Sequence, residues 1–421
     1  MGVHSDADAG SLAVLAPLIA ATKRPSGQGS SAGHTVLTDG KIWCRASQLR
    51  SDTVSNLATT VVSPNQSQST LLATDAIGEQ DFASRQIWAE RRRRMEVQNT
   101  QFGPEGPRSL WRNRVFSAGL AMLYAGARLL RLDRRGRRNA LDIQLVGRSI
   151  SFPDLPRAFD GYRILHLSDT HLDCLPELAA VASRLITGIE VDLLALTGDI
   201  HGRQRAPLAD STGPLAELIG AVRVKDRHLA ILGNHDPAAM AEALEDLGFK
   251  VLINESTVLS RGGEHIVVTG LDDVHRFFTS DALAALSRAA EGFRIALVHS
   301  AEVADYAAAA GYDLYLCGHT HGGQICLPGG RPIITHLLRC GYGSAGLWRD
   351  GNMVGYTNNG LGVGDIPLRF NSRGEISIIT LRRSLRGEQP RSAVTRLSGI
   401  SLLLSCSVRV ARRSTPVRCR T

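Results

Sequence analysis

Short, β-branched apolar runs alternate with Ala- and Leu-rich stretches from Ile143 onward. The apolar runs predict strands at IQLVGRSI, RILHLS (163–168), DLLALTG (192–198), HLAILGN (228–234), HIVVTGL, RIALVHS (294–300), LYLCGH (314–319) and ISIITL near Ile376, with a further strand pair within 353–379. Helices are predicted between them at 176–186, 237–247, 281–290 and 302–310. Such alternation predicts an α/β domain with buried, mostly parallel strands.

The pattern is different on both sides of this domain, which we place at 143–383. Residues 1–105 are rich in polar residues and show no sustained apolar period, which predicts disorder or a start codon assigned too far upstream. Within 106–140, an apolar run at 115–127 is flanked by arginines. As a helix it would rise about 20 Å, too short for a bilayer core of about 30 Å. It predicts a helix at an anionic membrane surface or one docked on the domain. Residues 384–421 are expected to form a basic, disordered tail.

Composition and charge indicate which broad class of protein the chain belongs to. With 43% hydrophobic and 21% charged residues among 421, the chain is typical of globular proteins, and its net charge of +8 favours an anionic partner. Seven cysteines without a CxxC pair favour a reducing compartment over a disulfide framework. No apolar run reaches 18 residues, and acidic residues precede the N-terminal apolar stretch where a signal peptide would be basic. We therefore expect a cytoplasmic protein, free or peripheral at the inner face of the membrane.

Five predicted strands run directly into polar residues of metal-ligand type. In chain order these are Asp169 and His171; Asp199; Asn234, His235 and Asp236; His299; and His319 and His321. Because the carboxyl ends of strands converge on one edge of an open α/β sheet, the side chains are expected to meet there. Each motif alone is weak, since Asp-x-His and Gly-Asp are usually turns and Asp236 also fits a helix N-cap before Pro237. Their joint occurrence, each after an apolar run, favours one site.

The chemistry of these residues fits two divalent metal ions. Carboxylate oxygen and imidazole nitrogen suit Zn, Mn or Fe, and no cysteine stands at these positions to form a thiolate site. A two-residue step in an extended segment places side chains on one face, so Asp169 and His171 are expected to chelate one ion. By the same argument His319 and His321 would both face the pocket. Two cations about 3.5–4 Å apart need a bridging anion, for which Asp199 is the natural candidate.

The motifs resemble those of the calcineurin-like metallophosphoesterase superfamily, whose pattern is Asp-x-His, Gly-Asp, Gly-Asn-His-Asp/Glu, a lone His and Gly-His-x-His. Here they stand as Asp169-Thr170-His171, Gly198-Asp199, Gly233-Asn234-His235-Asp236, His299 and Gly318-His319-Thr320-His321, within roughly 143–382. GHTHGGQ (318–324), GLG (360–362) and PLRFN (367–371) are similar to bacterial phosphodiesterases of the YkuE and YaeI type. Some relatives of that group cleave the pyrophosphate of UDP-diacylglucosamine.

The resemblance implies an α/β fold, a four-layer α/β/β/α sandwich of two central mixed β-sheets with a dinuclear metal site at the carboxyl ends of the strands. It implies one ion held by Asp169, His171, Asp199 and His321, and a second held by Asp199, Asn234, His299 and His319. A metal-bridging hydroxide would attack phosphorus in line, and His235, steered by Asp236, would protonate the leaving group as general acid. We expect a phosphodiester or pyrophosphate substrate. The apolar and basic segment favours a lipid-linked one such as UDP-diacylglucosamine.

Other functions remain as alternatives. A phosphomonoester or a cyclic nucleotide could be the substrate. A non-catalytic scaffold is disfavoured because no ligand of the motif set is substituted. The arginine clusters at 91–94 and 128–138 could suit nucleic acid, but stacking aromatics are scarce around them, so solvated charge or membrane contact is favoured. No specific nucleic-acid partner is therefore expected, and no pattern indicates an oligomeric state.

Overall fold

Two β-sheets, packed face to face, form the centre of the chain in this computed structural model, which describes residues 69–203, 206–384 and 392–396. The first sheet contains, in spatial order, β15 (Ser392–Arg396), β3 (Gln144–Phe152), β14 (Glu375–Arg383), β4 (Arg163–Leu167), β5 (Glu190–Thr197), β6 (Arg223–Ile231) and β7 (Lys250–Val251). The second contains β12 (Gly346–Asp350), β13 (Met353–Thr357), β11 (Leu314–Cys317), β10 (Phe293–Leu297), β9 (Glu264–Gly270) and β8 (Glu255–Arg261). A separate antiparallel pair joins β1 (Phe102–Gly103) to β2 (Gly106–Pro107).

Helices flank the two sheets. They are α1 (Ser69–Gln98), α2 (Leu110–Leu129), α3 (Asp133–Ala140), α4 (Leu178–Ile186), α5 (Ala209–Gly220), α6 (Met240–Asp246), α7 (Ser280–Arg288) and α8 (Ala304–Ala309). The predicted helices correspond to α4, α6, α7 and α8, while α5 was not predicted. Among the residues that the structure describes, no helix combines the length and apolarity needed to cross a bilayer.

Successive residues of the central strands are buried on opposite faces, which explains their continuous apolar runs. In β5, Leu193 enters the core between the sheets, whereas Leu194 packs in the core that includes α4, α5 and α6. Burying each such side chain contributes about 1.5–3 kcal/mol. A third core joins α7 and α8 to the outer face of the second sheet. The four-layer α/β/β/α sandwich with two mixed sheets is thereby confirmed.

The structure differs from the expected disorder over residues 84–105. This stretch contains the end of α1 and strand β1, and it is docked on the domain by hydrogen bonds and ion pairs. The expectation failed because these contacts are mostly polar and leave no apolar period in the sequence. Similarly, β15, within the predicted tail, pairs antiparallel with β3. Residues 1–68 and 397–421 lie outside the described residues, so predictions for them stay predictions.

Candidate dinuclear metal centre

The predicted site residues follow five strands that belong to two sheets. In the first sheet β4, β5 and β6 are parallel neighbours, and in the second β10 and β11 are parallel neighbours. The carboxyl ends of all five strands therefore deliver their next residues to one region between the sheets. Six of these residues are buried metal-ligand candidates: Asp169, His171, Asp199, His299, His319 and His321.

One cluster contains Asp169, His171 and His321, whose possible ligand atoms all lie within 4.8 Å of one another. The His321 Nε2 atom is 3.5 Å from Asp169 Oδ1. The two imidazoles are stacked, with ring centroids 5.1 Å apart and an interplanar angle of 14°. The two carboxylate oxygens also accept a hydrogen bond from the backbone N–H of His319, which ties this cluster to the next loop.

The second cluster contains Asp199, His299 and His319, again within 4.8 Å of one another. The Nε2 atom of His299 lies 3.2 Å from Asp199 Oδ2, 3.2 Å from His319 Nδ1 and 3.1 Å from the side-chain oxygen of Asn234. The Asn234 side chain therefore approaches the same nitrogen of His299 that Asp199 and His319 approach.

Asp199 joins the two clusters. Its Oδ2 atom lies 3.7 Å from His171 Nε2 in the first cluster and 3.2 Å from His299 Nε2 in the second. A single carboxylate that reaches both groups has the position required of a ligand shared by two cations. The bridging role that the sequence suggests for Asp199 is compatible with this geometry.

Burial favours neutral imidazoles in both clusters. It lowers the pKa of His171 to about 4 despite the opposing charge of Asp199. The pKa of His319 is held well below its usual value by burial and by the neighbouring His275 and His299. Burial and the proximity of His171 do the same for His321. Neutral imidazole is the form that binds metal, so no proton has to leave these three rings before an ion enters.

The carboxylates and His299 form a coupled charge cluster. Burial opposes ionisation of Asp199, but His299 and His235 outweigh it and hold the pKa of Asp199 well below the usual range. Burial likewise opposes protonation of His299, and the Asp199 carboxylate outweighs it and raises the pKa of His299 to about 10. For Asp169, burial and the charge of Asp199 raise the pKa to about 6. Divalent cations would relieve the repulsion between these buried carboxylates and replace the proton on His299.

Unpartnered buried nitrogens provide a test of whether the residues fit metal ions. His171 Nε2, His319 Nε2 and His321 Nδ1 are buried without a hydrogen-bond partner, a costly arrangement unless a ligand satisfies them. The opposite nitrogen of His171 lies 3.1 Å from the His201 carbonyl oxygen, and that of His299 lies 2.8 Å from the Thr197 carbonyl oxygen. Carbonyl partners of this kind orient metal-binding imidazoles. The residues present therefore fit divalent ions with nitrogen and oxygen ligands.

The backbone of the site is not extended. Asp169, His171, Asp199, His319 and His321 all have positive φ, between 38° and 72°. Non-glycine residues adopt this region at an energetic cost, and such strain is concentrated at functional sites. The prediction that two-residue steps place side chains on one face of an extended segment was therefore wrong in its reasoning. Left-handed turns place Asp169 and His171 in one cluster, and His319 and His321 in different clusters.

Comparison with known proteins agrees with this geometry. The family model described as calcineurin-like phosphoesterase matches residues 162–323. The metallophosphoesterase YkuE of Bacillus subtilis is 34% identical over 250 residues, which cover 57% of this chain and 86% of YkuE. The phosphodiesterase YaeI of Escherichia coli is 28% identical over 227 residues, or 52% of this chain and 82% of YaeI. The metallophosphoesterase YkoQ of B. subtilis is 28% identical over 253 residues, covering 58% and 92%.

The chain belongs to the calcineurin-like phosphoesterase family. It is a metallophosphoesterase, a hydrolase of phosphoric esters, and it resembles the YkuE and YaeI group as its sequence motifs predict.

Glycines of the metallophosphoesterase motifs allow the strand-end loops to approach closely. A Cβ atom at Gly233 would lie 2.1 Å from Asp199 Oδ1, and one at Gly318 would lie 2.1 Å from Asp169 Oδ2. Neither distance is compatible with a side chain. The Gly-Asn-His and Gly-His-x-His motifs thus require glycine because the carboxylate of Asp199 or Asp169 packs directly against the backbone.

In this metallophosphoesterase Asp236 acts on the backbone of two loops. Its carboxylate accepts hydrogen bonds from the N–H groups of Gly233 (2.9 Å), Asp199 (2.7 Å), Ile200 (2.9 Å) and His201 (3.0 Å). Helix α6 begins only at Met240 and has no side-chain cap, so the predicted N-cap role of Asp236 was wrong. The carboxylate is engaged by these amides, so any influence on the neighbouring His235 passes through the turn that carries both residues.

His235 lies beside the two clusters of the metallophosphoesterase. Its backbone N–H donates to Asp199 Oδ1 at 2.8 Å, and its ring centroid is 5.2 Å from that of His171. The residue is only partly buried, unlike the cluster histidines. It is therefore placed where a substrate can reach it.

Sequence reasoning missed residues that support the metallophosphoesterase site. His275 lies with its ring 4.1 Å from that of His319, and its Nδ1 atom is 3.3 Å from Glu302. It lies in DDVH, which follows the apolar run HIVVTGL of β9, so the occurrence of metal-ligand residue types soon after a predicted strand was the available signal. Arg369 is fully buried and donates to the carbonyl groups of His321 and Gly360, both at 3.0 Å. Arg369 belongs to the PLRFN run, and that motif was the sequence signal that could have identified it.

Proposed function

We propose that this metallophosphoesterase hydrolyses a phosphodiester or pyrophosphate bond at a pair of divalent ions, with His235 as general acid. The observation that carries the proposal is the Asp199 carboxylate, which lies within 3.7 Å of imidazole nitrogens from both clusters. The phosphodiesterase YaeI, a similar protein, supports a diester over a monoester substrate.

The proposed ligand sets follow the two clusters. Asp169, His171, Asp199 and His321 would hold one ion, and Asp199, Asn234, His299 and His319 the other. Nitrogen and oxygen donors suit Mn, Fe or Zn. When bound, such a pair supplies a water of lowered pKa as nucleophile and neutralises charge on the phosphoryl oxygens.

His235 is proposed to protonate the leaving group. It belongs to neither cluster, its side chain is partly accessible, and its amide is anchored to Asp199. A proton given to the departing oxygen lowers the barrier most for an alkoxide, which is a poor leaving group, and least for an aryl oxide. General acid catalysis of this kind is worth about 10²–10⁴-fold.

The test of this role compares His235→Ala with wild type on an alkyl and a nitrophenyl phosphodiester. We expect kcat/KM to fall by about 10²–10⁴-fold on the alkyl ester and by much less on the aryl ester. His265→Ala, which replaces an exposed histidine outside the site, serves as the matched control. Equal losses on both esters would exclude His235 as the acid.

A second set of assays tests the substrate class. Activity on a bis-aryl phosphate compared with a mono-aryl phosphate separates a diesterase from a phosphomonoesterase, and activity on a cyclic nucleotide tests the remaining alternative.

The helix pair α2–α3 supports a lipid-linked substrate, such as UDP-diacylglucosamine, presented at a membrane surface. The apolar side chains of Met122, Leu129 and Leu130 are exposed, at 73%, 85% and 62%. Exposed arginines lie close to Leu129 and Leu130 in the sequence: Arg128, Arg131, Arg134, Arg135 and Arg138. Exposed apolar and basic residues on one helical segment suit an anionic bilayer surface.

The same helix pair is attached to the loop that supports His321. The backbone N–H of Arg369 donates to the carbonyl oxygen of Gly136 in α3 at 3.1 Å, and the Asn139 side chain donates to the Arg369 carbonyl at 3.0 Å. A membrane-bound α2 would therefore keep the metal centre close to lipid head groups.

Vesicle co-sedimentation tests the membrane part of the proposal. The double variant Met122→Glu and Leu129→Glu should reduce binding to phosphatidylglycerol vesicles at least about tenfold, because two apolar contacts with the bilayer are lost and charge repulsion is added. Val97→Glu, at a position in α1 that is 87% exposed, provides the control. Wild-type binding by the double variant would contradict membrane docking through α2 without affecting the phosphoesterase assignment.

A further inference from the structure

Residues 84–109, here called the docked segment, precede the part of the chain that matches the family model and yet contact its active-site loops. The segment contacts the turn 233–236 after β6 and the loop 272–278 after β9. The indole N–H of Trp88 donates to Asp272 at 2.7 Å. Glu96 accepts the N–H of Ala238 at 2.8 Å, and Phe102 exchanges backbone hydrogen bonds with the loop through its N–H and carbonyl groups.

Arg92 is the centre of these contacts. It is 1% exposed, although its neighbours Arg91, Arg93 and Arg94 are exposed. This corrects the expectation that the whole 91–94 run is solvated charge. The guanidinium forms an ion pair with the buried Asp272 and lies over the Phe277 ring, 4.0 Å from its centroid.

The same guanidinium holds both ends of the turn 233–236. Its Nη2 atom donates to the carbonyl oxygens of Gly233 and Asp236, at 2.7 Å each. Between these two carbonyls stand Asn234 and His235. The Asp236 carboxylate, within the same turn, accepts the backbone N–H of Gly233 and also that of Asp199 in the neighbouring loop. The turn is thus held by a cation on two of its carbonyl groups and by a carboxylate on its first amide.

The shape of the arginine side chain explains how Arg92 makes all of these contacts. Its planar guanidinium donates along several fixed directions at once, so one side chain can reach two carbonyls and a carboxylate together. A lysine in the same place would keep the charge toward Asp272 but would not reproduce the fork. The charge itself is compensated because Asp272 is buried beside it.

We propose that Arg92 is a positioning residue of the metallophosphoesterase: it holds the turn that presents Asn234 to the second ion and His235 to the leaving group. The inference rests on the proposed function, because it takes Asn234 as a ligand and His235 as the acid. It assigns the docked segment to the construction of the site, although that segment contributes no ligand of its own. Loss of a group that orients a metal ligand typically costs about 10–100-fold in metal affinity or activity.

The test uses the full chain, depleted of metal and titrated with Mn²⁺ while free Mn²⁺ is followed by EPR. For Arg92→Met we expect one of the two dissociation constants to rise about 10–100-fold, with a much smaller change in the other, which depends on Asp169, His171 and His321. Arg92→Lys should restore part of the affinity. Arg91→Met, which removes an exposed arginine from the neighbouring position of the same helix, should bind Mn²⁺ as wild type does. In the loaded enzyme, Arg92→Met should lose more kcat on the alkyl than on the aryl diester.

A purely structural role for Arg92 gives a different result. If both sites weaken equally, or if activity falls only with the folded fraction measured by near-UV circular dichroism, the proposal is overturned. Should Arg92→Met not fold, the variant with Arg92→Met and Asp272→Asn removes both members of the ion pair and is titrated in the same way. Failure of both variants to fold would assign Arg92 to folding alone and also overturn the proposal. A wild-type chain that binds one Mn²⁺ would instead refute the proposed dinuclear site.

Discussion

Replacing Gly318 with alanine perturbs the metal centre with a single methyl group. The added Cβ would lie 2.1 Å from Asp169 Oδ2 and 2.0 Å from Ser168 Oγ. Cβ atoms essentially never lie closer than 3.0 Å to another heavy atom, so the Asp169 carboxylate would have to retreat by about 0.9 Å. The φ of Gly318 lies outside the left-handed region, so the backbone itself would accept alanine. The effect therefore comes from the contacts of the added methyl group with Asp169 and Ser168.

The expected magnitude follows from that displacement. Asp169 is fully buried beside His171 and His321 and cannot relax into solvent. A misplacement of about 1 Å at a reacting centre can cost about 10²-fold in rate. We expect Gly318→Ala to lower kcat/KM by at least that factor and to weaken binding of the ion that we propose for Asp169, His171 and His321.

The assay measures kcat/KM on a bis-aryl phosphate at saturating Mn²⁺ together with Mn²⁺ content after gel filtration. Gly220→Ala provides the control, because a Cβ at Gly220, the last residue of α5, would meet nothing within 4 Å. We expect wild-type activity for that variant. Gly318→Ala with wild-type activity and metal content would refute the reasoning that this glycine exists to admit the ligand carboxylate.

Two further predictions concern buried charged and titratable groups. Arg369→Met removes the guanidinium that donates to four carbonyl groups, those of Asn359, Gly360, Gly362 and His321. The free energy of unfolding should therefore fall by about 3 kcal/mol or more. An unchanged midpoint of urea unfolding would contradict this prediction. Burial lowers the pKa of His166 from 6.5 to about 3. As the pH falls below 6.5, the unfolded chain therefore binds a proton on His166 while the folded chain does not. The free energy of unfolding decreases for this reason between pH 6.5 and 3. From pH 7 to 5 the loss should be about 2 kcal/mol larger in wild type than in His166→Gln, by urea unfolding in EDTA; equal losses in the two proteins would count against it.

The convergence of these strand-end residues could be predicted from sequence because two local signals coincide. Each apolar run marks a buried strand, and a polar residue directly after it has no place in the core. Asp199 after DLLALTG and His299 after RIALV are examples. The division of His319 and His321 between clusters could not be predicted in this way, because it depends on left-handed turns whose φ values only the surrounding packing imposes.

The docked segment was missed for a related reason. Nothing in the run 91–94 distinguishes Arg92 from its neighbours, since its partners Gly233, Asp236 and Asp272 lie 141 to 180 positions away. Helix α5 was missed because Gly213 and Pro214 indicate a turn, whereas Leu215 and Leu218 are buried against α4 and the sheet. In both cases tertiary contacts outweigh the local preference.

Low-temperature EPR of the Mn²⁺-loaded protein tests the central claim most directly. Two ions that share the Asp199 carboxylate should lie about 3.5–4 Å apart and give an exchange-coupled, multiline spectrum with two Mn²⁺ per chain. Asp199→Asn should lose the coupled signal because the bridging charge is gone. One Mn²⁺ per chain in wild type, or two Mn²⁺ with uncoupled six-line spectra, would contradict a dinuclear centre built around Asp199.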